Sequence, residues 1–188
     1  MKYLLALLLL VSGLTMAPAQ DRGAVSDDIF SRGVQLQLLN QIMPLLMTKE
    51  QWRKVLPSVE EAREAVRKTE KLEADELKKL QTKMDEAYKN ALEKGELPKK
   101  ELLIEFQTKL SDFSKTRRII ADINTTKVQE AFVATANEGQ KKTAIGSITP
   151  ADFGFKADEL KDEARLRLFV SEILLNPIAY DLMRKLSI

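Results

Sequence analysis

Histidine and cysteine are both absent from the 188 residues. Without cysteine the chain has no disulfide, no thiolate and no attachment point for an exported lipoprotein's lipid. Its fold must therefore rest on packing or self-association. Without histidine the commonest general base at neutral pH is missing. The two absences together remove the usual ligands of zinc, haem, copper and iron–sulfur centres, and the Glu-x-x-His pairs of a di-iron bundle. Alternating apolar and polar runs rich in β-branched residues are also missing outside Thr143 to Ile148, so no strand is expected. No internal repeat of solenoid length occurs.

Catalytic motifs are equally scarce. The sequence contains no Ser-x-x-Lys, no Gly-x-Ser-x-Gly and no phosphate-binding glycine loop. Asp152 and Asp158 flank Gly154 without the spacing of a calcium loop. Glu60 and Glu64 lie one turn apart on a charged helix, where a solvated face explains them and the burial needed to raise a carboxyl pKa is not expected. The reading is a non-enzymatic protein with no catalytic, metal or cofactor-binding residue.

Among the features present, the N-terminus comes first. Lys2 is followed by an almost unbroken apolar stretch from Tyr3 to Leu14 and then by Ala17-Pro18-Ala19 before Gln20. That layout predicts a signal peptide over 1–19, cleaved after Ala19, because the stretch is shorter than the roughly 20 apolar residues of a membrane-spanning helix. The expectation is a periplasmic or secreted protein that meets a membrane only through its signal peptide. Cleavage would leave 29 basic and 28 acidic residues, a balance that favours neither nucleic acid nor anionic lipid.

The remainder reads as all-α, a long antiparallel helical hairpin flanked by an apolar N-terminal helix and a C-terminal helical segment. Residues 20–28 form a flexible leader, and 29–188 a single helical domain. From Ile29 to Met47 a stripe of Leu36, Leu39, Met43 and Leu46 is widened by Leu38, Ile42 and Leu45 to most of the circumference. Thr48 and Gln51 have the spacing of a capping box that starts the next helix, and Pro57 predicts a kink near Leu56 or a fresh start. Val59, Ala62, Val66, Leu77, Leu80, Met84, Ala87 and Ala91 then step by three and four, except for an eleven-residue jump across Thr69 and Glu73 that predicts local unwinding. Acid-to-base pairs such as Glu64/Lys68 and Asp75/Lys79 support the solvated face.

Gly95 is the expected C-cap, and Pro98 restarts helix for the return, making the hairpin about 49–136. On the return, Leu103, Phe106, Leu110, Phe113, Arg117 and Ile120 form the seam, with Arg117 expected to reach solvent and pair with a carboxylate of the first helix. Asn124-Thr125-Thr126, which also fits a glycosylation sequon, reads as a helix break, with Thr126 and Gln129 as a second capping box. Residues 137–156 hold three glycines and Pro150 and read as a loop, and C-terminal helices over 157–187 are broken at Asn176-Pro177.

Leu46-Met47-Thr48-Lys49-Glu50-Gln51, opening a charged hairpin behind a signal peptide, resembles the LTxxQ-motif family of small periplasmic helical proteins, with Met47 where the motif has leucine. The resemblance implies stress-related functions, among them ATP-independent chaperones that cradle unfolded clients. Two functions follow as expectations. One is a binding protein, chaperone-like toward other proteins, with Leu38, Ile42, Leu45 and Trp52 as candidate partner-binding residues, though packing of the terminal segments on the hairpin competes for the same side chains. The other is a scaffold that self-associates through the hairpin. Oligomeric state is not readable from the sequence.

Overall fold

The structure, a computed structural model, describes residues 24–188 apart from residue 157. The expected signal peptide and residues 20–23 of the leader lie outside the described residues. Helix begins earlier than expected, with α1 at Ala24–Ile42. The chain falls into two units, one ending at Gln37 and one from Leu38 to Ile188. In the first, Ile29, Phe30 and Leu36 are exposed.

The second unit continues with a 3-10 turn at Met43–Leu45 and helices α2 (Lys49–Lys94), α3 (Lys100–Thr135) and α4 (Glu138–Gly146). A 3-10 turn at Pro150–Phe153 precedes α5 (Asp162–Leu168), which runs into a π-helical segment at Phe169–Leu174, and α6 (Pro177–Leu186) closes the chain. No strand occurs among the described residues. The architecture is all-α, with α2 and α3 packed together as the expected hairpin. At about 1.5 Å rise per residue, the 46 residues of α2 extend roughly 69 Å.

The hairpin starts and turns where the sequence indicates. The Thr48 hydroxyl accepts from the Gln51 N–H at 3.2 Å, and the Thr48 N–H donates to Gln51 Oε1 at 2.9 Å, a complete capping box. Gly95 closes α2 in the left-handed region at φ 68°, which glycine enters without a Cβ clash. Three expected breaks in the pattern do not occur: a fresh start at Pro57, a break at Asn124 and a skip in the seam. Of the two outcomes expected at Pro57, the fresh start does not occur: the proline sits inside a continuous α2, which runs on through one missing donor. Asn124, Thr125 and Thr126 sit inside a continuous α3. The Thr125 and Thr126 hydroxyls return to the carbonyls of Ala121 and Asp122, at 2.7 and 3.0 Å, and the Asn124 amide donates to the Ala62 carbonyl at 3.1 Å. These polar groups find partners without breaking the helix. Thr126 is therefore no cap. Nor does the seam of α2 skip from Val66 to Leu77. Thr69 and Glu73 are both buried, so Val59, Ala62, Thr69, Glu73 and Leu80 keep a heptad path with two polar members.

The expected loop over 137–156 is largely helical. Asn137 caps α4 through a second capping box, accepting from Gln140 N–H at 2.9 Å. The last long segment starts at Asp162 rather than near residue 157. Its apolar run then winds as a π-helix, closed by Leu175 N–H donating to the Val170 carbonyl at 2.9 Å. The wider turn buries Phe169, Val170, Ile173 and Leu174 together. Asn176 and Pro177 separate this segment from α6 as expected, with Asn176 as N-cap.

The core lies at the base of the hairpin. Val55, Val59 and Ala62 of α2 are buried where α2 meets α3 and α6, Val128 and Phe132 of α3 are buried where α3 meets the π-helical segment, and Phe132 and Phe169 stack tilted with ring centroids 5.9 Å apart. Helix α6 runs antiparallel along α2. Arg63 donates to the Pro177 carbonyl at 2.9 Å with its guanidinium 4.3 Å over the Tyr180 ring, and Arg53 donates to the Ser187 carbonyl at 3.0 Å.

Candidate interaction surfaces of the helical hairpin

The four side chains singled out in the sequence as partner-binding candidates are all interior. Leu38, Ile42, Leu45 and Trp52 are buried, so the widened apolar face of that segment is spent on the protein's own core. Packing won the competition for them. What locks this corner is polar. The Gln51 amide donates to the Thr135 carbonyl and to Gln140 Oε1, each at 3.0 Å, and the Gln140 amide reaches the Leu46 carbonyl at 3.3 Å. The two capping boxes are thus joined through their glutamines.

Beyond Glu70 and Arg118 the two helices have chiefly each other. Their seam is thin: between residues 71 and 117 only Glu73 and Leu80 are buried. Arg117 reaches across from α3 as the sequence suggested, and its Nε donates to both Glu73 carboxylate oxygens at 2.8 and 2.9 Å. Glu73 is 5% exposed and the Arg117 side chain 63%, so the pair joins a buried anion to a cation that reaches solvent. Hydrogen bonding to Glu73 raises the Arg117 pKa further.

The arm has two unlike flanks. One is ion-paired: Glu61 with Lys127, Glu76 with Lys109 at 2.9 Å, and Lys83 with Glu105 at 3.6 Å. Hydrogen bonds from Lys79 and then Lys109 lower the Glu76 pKa to about 2. The other flank starts at the base as a groove of about 470 Å³, lined among others by Val66, Glu70, Ala121, Thr125 and Leu175. Following it toward the turn by helical steps of three and four gives Ala74, Leu77, Gln81, Met84, Tyr88 and Ala91 on α2. The same steps from Ala121 through Arg118 give Ser114, Leu110, Gln107 and Leu103 on α3. None of these ten carries a charge; the charged members of this flank, Glu70, Arg117 and Arg118, gather at its base end, where Arg117 is bonded to Glu73. Leu103 and Leu110, expected in the seam, lie here instead and are exposed, because Leu102 and Lys109 take the more buried positions.

Toward the turn, Tyr88 of this flank stands in solvent, as do Leu92, Ile104 and above all Leu97, 92% exposed. Sequence reading missed this distribution because a hydrophobic period identifies which residues share a face, not whether a third element covers it. At the base, Glu60 accepts from Arg67 at 2.8 Å, and that bond, followed by one to Tyr180, lowers its pKa, while Tyr180 is raised by the same contact. This network is structural. No cluster of acidic residues able to hold a metal occurs among the described residues.

The class so defined is an all-α helical-hairpin protein with a closed base and an open arm. Comparison with known protein families, curated proteins and solved structures finds no match.

Proposed function

We propose that this is an exported, non-enzymatic binding protein, chaperone-like toward other proteins, that engages them with the turn end of its hairpin arm. The observation that carries the reading is the exposure of Tyr88, Leu92, Leu97 and Ile104 within a few turns of Gly95, where Leu97, at 92%, is the most exposed large apolar side chain among the described residues. A two-helix arm has a single seam and cannot hide these groups, and a cluster of large apolar side chains in water favours contact with apolar segments of other proteins. The charged backs of both helices keep such an arm soluble while it does so. Export rests on the N-terminal sequence, with its apolar stretch and Ala17-Pro18-Ala19.

The test follows the light scattering of an unfolding client protein with purified residues 20–188. Suppression of aggregation near equimolar ratio, lost in a Leu92→Glu/Leu97→Glu variant that keeps its helical circular dichroism, is expected. Equal suppression by the variant, or none by either protein, sinks the reading. The second reading, a scaffold that self-associates through the hairpin, is favoured by the uncharged flank.

A further inference from the structure

We propose that the uncharged flank of the arm packs against the same flank of a second copy of this chain, antiparallel, about a two-fold axis passing near Gln81 and Gln107. The composition of the segment makes this flank unusual. Thirteen of the 25 residues from Glu70 to Lys94 are charged, yet Ala74, Leu77, Gln81, Met84, Tyr88 and Ala91, which share one face, include none. The facing residues of α3, Leu103, Gln107, Leu110 and Ser114, are uncharged as well, and the one cation that follows them, Arg117, is held by Glu73 at the base end of the strip, whereas the opposite flank is laced with ion pairs. Solvation of an isolated arm would not require this sorting. A surface that meets its own copy does, because an isologous contact opposes like residues near the axis, and buried like charges there would be repulsive and desolvated.

The same strip is already covered by a helix lower down. Arg53, Glu60 and Arg63 continue it into the base, where α6 lies against it. That cover sets the direction of the partner. Helix α6 stands proud of the flank by about 10 Å, one helix diameter, so parallel pairing of two arms would force two C-terminal segments into one space. Antiparallel pairing sets each free turn beside the other copy's α6 and overlaps the open lengths. The open strip from Glu70 to Gly95 is roughly 37 Å long and two helices, about 20 Å, wide. The product, roughly 700 Å² per copy, approaches the ~800 Å² that each side of a standard stable interface buries. Leu77, Met84, Leu103 and Leu110 supply the apolar contact, and the two glutamine amides near the axis supply hydrogen bonds. Client contact through Leu92, Leu97 and Ile104 is a separate matter, since none of the three is among these strip positions, and Tyr88 is the one residue the two surfaces share.

Sedimentation velocity of residues 20–188 up to about 100 µM is expected to show a monomer–dimer equilibrium. Met84→Glu and Leu110→Glu should each weaken the dimer by about tenfold or more, and Leu92→Glu/Leu97→Glu should leave it intact. The chain's lack of cysteine permits a direct check of direction. Under oxidation Gln81→Cys should form a covalent dimer, Ala74→Cys alone should not, and a mixture of Ala74→Cys with Ala91→Cys should. A strict monomer at the highest concentration overturns the inference, as does an Ala74→Cys homodimer without a Gln81→Cys one.

Discussion

Glu73 lies in the hairpin seam with almost no open surface, and among the described residues its charge is met by Arg117. Removing the cation would leave a buried carboxylate unpaired, while removing both would leave an apolar seam. Arg117→Leu is therefore expected to lower stability by about 1 to 3 kcal/mol in urea unfolding, discounted for the solvent that reaches the arginine, with Glu73→Leu/Arg117→Leu recovering most of the loss. A double variant as weak as the single one would show that the pair adds more than mutual neutralisation. Glu76, on the ion-paired flank, acts through pH. Its folded pKa of about 2 lies below the ordinary 4.5, so its contribution is complete above pH 4.5 and fades as pH falls toward 2. Unfolding midpoints followed from pH 5 to 2 should fall less steeply in Glu76→Gln than in the parent. Arg117 was legible in the sequence as a cation in an apolar repeat. Its partner was not, because Glu73 is spelled like the many solvated glutamates around it.

Among the elements, the two capping boxes were unequally visible. Thr48-x-x-Gln51 precedes a plain helical pattern, whereas Asn137-x-x-Gln140 has the same spacing but sits in a stretch rich in glycine, and the loop reading prevailed. The joined glutamines make α4 a bracket for the start of α2. Gln140→Ala removes acceptors and donors shared with Gln51, Asn137 and Leu46, and is expected to cost about 1 to 2 kcal/mol and to raise amide exchange over both residues 46–52 and 135–141. Exchange rising only in α4 would mean the bracket is idle. Asn124-Thr125-Thr126 misled because local rules describe an isolated helix, and here the three polar side chains find partners in their own helix and in α2.

At the scale of the whole molecule, stability should be uneven. The base buries Val55, Val59, Phe132, Phe169, Val170, Leu174 and Met183, while the arm holds a single seam with a polar layer in it. Hydrogen exchange is expected to protect residues 52–62, 124–132 and 169–183 most strongly and the arm from 71 to 117 less, with the flank containing Leu77 and Leu110 gaining protection as concentration rises. Uniform protection at all concentrations would contradict both the thin seam and the contact between copies. Helical periodicity, the turn at Gly95 and the start at Thr48 were determined by the sequence alone, because each depends on residues a few positions apart. Which apolar faces are covered was decided only by the tertiary structure. Leu38, Ile42, Leu45 and Trp52 went inside while Leu97, Leu103 and Leu110 stayed outside, since burial depends on which distant segment arrives at a face, and the spacing of residues along one helix carries no record of that.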